Sequence, residues 1–162
     1  MKQANSRHCF VCGVENPAGL HLHFYETGPG EVTAEYIVGK QHEGYPGIVH
    51  GGIVAAMLDE VTGRAHMGPA TNPRFMFTAK LEVRYRKPVP VGKPLRLVGK
   101  AGEEKTRTAT AKGFLYGPEG DLLAEADALL VNVPESMVNR ADLESFGWKV
   151  YPDGEKETVD DR

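Results

Sequence analysis

The sequence has little of several things that would place it quickly. Its 162 residues include two cysteines and one tryptophan. Two cysteines cannot build the disulfide framework of a small secreted domain, and without an export pattern they read as reduced thiols. No apolar run approaches the roughly 20 residues of a membrane-spanning helix. The opening MKQANSRHCF lacks the apolar stretch of a secretory leader, so a cytoplasmic location is expected. A basic surplus is missing too. Nineteen Lys and Arg against 22 Asp and Glu leave a net charge of −3, which gives no footing for nucleic acid or an anionic membrane. There is no internal repeat and no low-complexity segment. What remains is an ordinary globular composition, 41% hydrophobic and 25% charged, long enough for one domain with its own core.

Periodicity sketches the elements. Residues 20 to 26, LHLHFYE, alternate apolar and polar, which predicts a half-buried strand. A PGE turn and the run EVTAEYIV predict a second strand over 31 to 38, making a hairpin. A loop with Gly44, Pro46 and Gly47 follows. A helix is expected over 51 to 67, closed by Gly68-Pro69. Four β-type runs come next, at 75 to 87, 95 to 101, 105 to 116 and 121 to 133. KPVPVGKP separates the first two and GPEG the last two. The domain is expected to occupy 1 to 138. Residues 139 to 162 would be a separate tail, with a short helix in RADLESFG and a frayed charged end. Two strands, one long helix and four more strands make an α+β fold, with the helix packed on an antiparallel sheet.

The stretch IVHGGIVAAMLDE, residues 48 to 60, carries the chemistry. Helix residues advance by about 100° each, so faces follow from spacing. Val54, Met57, Leu58, Val61 and Ala65 make an apolar stripe. Glu60 and Arg64 sit at i, i+4 in the favourable order, which reads as a solvated pair. Gly52, Ala55, Ala56, Asp59 and Gly63 make a third side, of small residues and one carboxylate. Asp59 is therefore the acid with room beside it. At the helix entrance, Gly51 and Gly52 leave unpaired N–H groups accessible to a carbonyl oxygen. Asp59 then suits a general base or a nucleophile, and His50 suits orienting the substrate or a water. Together these suit acyl transfer. The plainer alternative is a tight helix entrance and a solvated aspartate.

PGIVHGGIVAAMLDE with TAKLEVRYRKPVPVGKPL, and the opening CFVCGVENPAGLHLHF, resemble the hotdog-fold acyl-CoA thioesterases. The resemblance covers roughly residues 8 to 133 and lies nearest the phenylacetate-pathway and thioesterase-superfamily branch. It implies a long helix wrapped by a curved antiparallel sheet, with two protomers paired in a homodimer so that their sheets run on; further assembly to a homotetramer stays open. It implies hydrolysis of acyl-CoA to a free acid and coenzyme A, with coenzyme A part of the substrate and no separate cofactor. By the resemblance Asp59 is catalytic, Gly51 supplies the polarising amide with Gly52 beside it, and Thr78 is supplied to the neighbouring protomer's site. Arg86 and Lys87 would meet the nucleotide, and the acyl chain would run near Met57. Gly44 stands where a relative has asparagine, which leaves more of the water geometry to His50. The rival readings are a non-catalytic acyl-CoA-binding hotdog domain and a hydratase, whose His–acid arrangement is not seen. Acyl-carrier protein remains open as the thiol carrier.

Cys9 and Cys12 form a single CxxC, with His8 beside it and His21 and His23 further on. Tetrahedral zinc takes such ligands. No second CxxC follows, and histidines at i, i+2 in a strand are an odd finger, so buried structural cysteines and no metal are expected. A redox CxxC lacks its βαβ surroundings. His42 and His66 default to surface histidines, with His66 near the Asp59 side. Arg84, Arg86 and Lys87 are either a solvated strand face or phosphate contacts.

Overall fold

A computed structural model describes residues 1–138 and 142–153. The elements are β1 (Tyr25–Gly28), β2 (Glu31–Ile37), a 3-10 turn (Lys40–His42), α1 (Gly51–Arg64), β3 (Met76–Tyr85), β4 (Pro94–Glu104), β5 (Thr108–Tyr116) and β6 (Leu122–Asn132). The six strands make one antiparallel sheet in the order β1-β2-β4-β5-β6-β3. The sheet curves around α1, as the resemblance implies. No helix among the described residues is long and apolar enough to cross a membrane.

The helix lies where the sheet has no side chains to hold it off. Gly99 of β4 and Gly113 of β5 are register partners. A Cβ on Gly99 would overlap the Val61 carbonyl oxygen of α1, and one on Gly113 would crowd Thr62, Val61 and Leu58. Val54, Met57, Leu58 and Val61 are fully buried against Val32, Leu97, Leu115 and Ala124 from the sheet. Met57 is thus core, which removes it from the wall of an acyl channel. Each such side chain contributes about 1.5–3 kcal/mol through burial.

Three expectations need correction. The predicted strand over 20 to 26 begins only at Tyr25. Leu20, Leu22 and Phe24 are buried as the alternation requires, but His21 has φ 57, which breaks the strand. Their backbone partners come instead from the N-terminal segment: Leu20 N–H donates to the Phe10 carbonyl, Leu22 N–H to Val11, and Gln3 N–H to Phe24. The helix ends at Arg64, and turns carry the chain to Gly68. The short helix expected in RADLESFG lies partly outside the described residues. Residues 142–147 form turns that pack back onto the domain, with Asn5 bridging Lys149 and Trp148 against Phe75.

Arg64 is the larger surprise. It is 1% exposed, not solvated. Its Nε donates to Glu60 Oε1 at 2.9 Å and its Nη1 to the Ala4 carbonyl at 2.6 Å. Its guanidinium lies 4.6 Å from the Phe24 ring centroid and 5.4 Å from that of Trp148. Burial of a charge is tolerated because it is paired, hydrogen-bonded and covered by aromatic faces.

Candidate active site

Two neighbouring acids on α1 face different structures. Asp59 is half-buried and accepts a hydrogen bond from Thr78 Oγ1 at 2.6 Å, on Oδ1. Glu60 faces the other way, toward Arg64 and the N-terminal Cys9. The two acids thus lie on different sides of α1, as their spacing requires, although the Glu60–Arg64 pair is not the solvated one expected. Thr62 Oγ1 caps the Asp59 carbonyl at 2.7 Å, which fixes the backbone there.

Thr78 reaches Asp59 through an irregularity in β3. The β3–β6 register slips between Thr78 and Lys80, so Ala79 is the extra residue. Before the slip Met76 and Thr78 face inward; after it Leu81 and Val83 do. A bulge of this kind changes which parity of a strand points at its neighbour. Without it, Thr78 and the apolar pair could not share the face toward α1. The bond lies within one chain, in place of the expected supply of Thr78 to a neighbour's Asp59.

The helix entrance is organised by His50, the N-cap. Its Nδ1 accepts from Gly52 N–H at 2.9 Å. The neutral ring therefore carries its proton on Nε2, and the imidazole is exposed. Gly52 is thereby corrected as a polarising donor, because its N–H is already used. Gly51, at the first helical position, keeps an amide with no intrahelical partner. Its carbonyl accepts from Tyr85 Oη at 2.6 Å, and the Tyr85 ring lies beside Gly51, where a Cβ would touch it in ordinary contact. Sequence reasoning placed Tyr85 only in the strand pattern. Its parity with Leu81 and Val83 was the available signal that it reaches α1. Gly44 backs His50: a Cβ there would sit 3.2 Å from the His50 Cα.

The basic strand end is occupied. Arg86 is bidentate to Glu125 at 3.1 and 3.2 Å, and Lys87 Nζ meets Asp121 at 3.1 Å. The Arg86 guanidinium holds the Glu125 carboxyl below its usual range. A cleft of about 490 Å³ adjoins them, lined by Lys87, Pro90, Lys93 and Asp121 among others. His66 bonds the Thr110 carbonyl at 2.8 Å and does not join Asp59. His42 bonds the Ala18 carbonyl at 3.2 Å.

Cys9 and Cys12 are free thiols. A hydrogen bond from Cys9 draws the Cys12 thiol down to about 7, and that same bond, with burial, pushes Cys9 up.

Residues 46–124 match the family model of the thioesterase superfamily. The acyl-coenzyme A thioesterase THEM4 of Xenopus laevis is 28% identical over 111 residues, 68% of this chain and 49% of that protein. The chain thus spans about half the length of this curated relative. The crystal structure of a thioesterase superfamily protein is 31% identical with a TM-score of 0.70, over 77% of this chain and 63% of that one. The PaaI protein from the phenylacetic acid degradation operon of E. coli is 12% identical with a TM-score of 0.64, over 71% and 81%, a likeness of fold alone. By its matched segment and its sheet-wrapped helix, the chain has the hotdog fold and is similar, over residues 46–124, to the thioesterase superfamily.

Proposed function

We propose that this protein is an acyl-CoA thioesterase of the cytoplasm, acting as a homodimer or homotetramer. The observation that carries this reading is the Thr78–Asp59 hydrogen bond. It fixes one carboxylate oxygen and leaves Oδ2 to take a proton from water. The names of the curated relatives support the substrate class. In the reaction water adds to the thioester carbonyl and its proton passes to Asp59. The tetrahedral intermediate then expels coenzyme A as its thiolate, which takes that proton back from Asp59, leaving the free acid. Attack by Asp59 itself uses the same oxygen, and a single turnover in ¹⁸O water separates the two routes by labelling Asp59.

The polarising amide has to come from a second copy. Asp59 lies eight residues beyond Gly51, about 12 Å along the helix at ~1.5 Å per residue. One carbonyl group cannot touch both within one chain. Two protomers related by a two-fold axis, with their α1 helices antiparallel, bring Gly51 of one to Asp59 of the other. The open edge of β3 suits such pairing. The nucleotide would lie by Arg86 and Lys87, where a phosphate exchanges with exposed, solvent-screened ion pairs.

The test is a steady-state panel of acyl-CoAs of graded chain length, read by free-thiol release. Turnover is expected for the native chain. Binding of acyl-CoA without thiol release would reduce the protein to an acyl-CoA-binding domain.

A further inference from the structure

We propose that Cys9, Cys12 and Glu60 form a binding site for one zinc ion, which clamps the N-terminal segment to α1. The CxxC alone did not support a metal, because the histidines around it offered no set. The fold supplies a third ligand 48 residues beyond Cys12. One atom from each of Cys9, Cys12 and Glu60 lies within 4.8 Å of the other two, and His8, His21 and His23 are outside the group. Cys9 Sγ stands 3.9 Å from Glu60 Oε2. A tetrahedral centre with Zn–S of about 2.3 Å and Zn–O of about 2.0 Å separates its ligands by ~3.5–3.8 Å. A small contraction closes the set around the ion, and water completes the fourth position.

The surroundings are those a thiolate–carboxylate site needs. Residues 9 to 13 wind tightly around the two sulfurs. Gly13 N–H donates to the Cys9 carbonyl at 2.8 Å, and a Cβ on Gly13 would overlap the Cys9 backbone. Cys12 N–H points at Cys9 Sγ at 3.5 Å, and Ser6 Oγ lies 3.6 Å from Cys12 Sγ. The same Ser6 oxygen receives Cys9 N–H at 3.4 Å. Both sulfurs thus have a donor group beside them. Glu60 is oriented from behind: Arg64 Nε holds Oε1 at 2.9 Å and leaves Oε2 toward Cys9. A ligating carboxylate held by an outer partner is the usual arrangement in metal sites. The charges close as well. Two thiolates and one carboxylate against Zn²⁺ leave one negative charge, which the buried Arg64 cancels. Binding releases the two thiol protons to solvent.

The full chain, reduced and stripped with chelator, is titrated with Zn²⁺ in competition with a chromogenic chelator, and separately with Co²⁺. One equivalent of Zn²⁺ per chain is expected, with protection of both thiols from a thiol reagent and a raised melting temperature. The Co²⁺ form should show near-ultraviolet thiolate charge-transfer and visible bands of a tetrahedral ion. Cys9→Ser and Cys12→Ser should lose these bands. Glu60→Gln should weaken Zn²⁺ by at least the roughly 10- to 100-fold that outer-shell losses cost. Thiols that react equally fast with and without Zn²⁺ in the native chain would overturn the site, and that reading needs no variant to fold. Undiminished Zn²⁺ binding in Cys9→Ser and Cys12→Ser would overturn it too, by placing the metal elsewhere.

Discussion

At the scale of single residues, α1 turns Asp59 and Glu60 into different kinds of group. Asp59 touches only Thr78 among side chains with a hydrogen bond to its carboxylate in the described residues. Asp59→Asn keeps that contact and removes the base. It should lower kcat by about 10²–10⁴-fold with little change in melting temperature. Thr78→Ala should lower kcat more than it raises KM, since the hydroxyl aims a group that acts after binding. Unchanged kcat in either variant removes that residue from the site. Glu60→Gln behaves otherwise than a solvated pair would. It leaves the buried Arg64 without its charged partner and should cost roughly 1–3 kcal/mol in chemical denaturation. That is less than the about 3–5 kcal/mol of a fully buried pair, because the Glu60 side chain keeps 20% exposure.

At the scale of elements, the helix-to-sheet approach is the sensitive contact. Gly99→Ala places a methyl group against the Val61 carbonyl, so α1 or β4 must shift. A loss of about 1–3 kcal/mol is expected from such overpacking, read from the urea midpoint. Gly63→Ala is the control on the other side of α1, where nothing stands within 4 Å. It should be neutral or slightly stabilising, since alanine is the better helix former. The extended segment before β1 carries a pH response. Burial, and secondarily Lys2, lower the His23 pKa, and its Nδ1 is buried with no hydrogen-bond partner. The unfolded chain takes up that proton near pH ~6.5 and the folded chain resists it. This contribution to stability is therefore present above that pH and is lost as pH falls below it. His23→Gln should flatten the fall in urea midpoint between neutral and mildly acidic pH. An unchanged slope would assign the acid sensitivity to other groups.

At the scale of the whole molecule, the question is which residues share a site. Gly51→Pro removes the amide donor at the first helical position, where proline fits. His50 already has the extended ψ of 135 that a following proline requires. Refolding Asp59→Asn together with Gly51→Pro should yield hybrid dimers that regain activity. One of their two sites then combines an intact Asp59 from one chain with an intact Gly51 from the other. Refolding Asp59→Asn with Thr78→Ala should regain none, because those two residues meet within one chain. Rescue in the second mixture and not the first would reverse the assignment. Arg86→Ala with Lys87→Ala should raise KM for a full acyl-CoA and spare a thioester lacking the nucleotide. Equal effects on both substrates would make these residues structural.

The features legible in the sequence are those that repeat over a few residues. The rotation per residue of a helix is local, so it separated Asp59 from Glu60 without any knowledge of what each faces. The alternation of strands is local as well, and it located β2 to β6 and the buried parity of Leu20, Leu22 and Phe24. The tertiary structure decided everything that depends on distant partners. Arg64 is buried because Ala4, Phe24 and Trp148 close over it, and no spacing within α1 announces them. Thr78 meets its own chain's Asp59 because a single-residue bulge changes the parity of β3. Cys9 and Cys12 gain Glu60 as a neighbour because the N-terminal segment pairs with residues 20–26 and lies over the end of α1. Periodicity is a property of neighbouring dihedral angles, whereas burial and side-chain partnership belong to the closed fold.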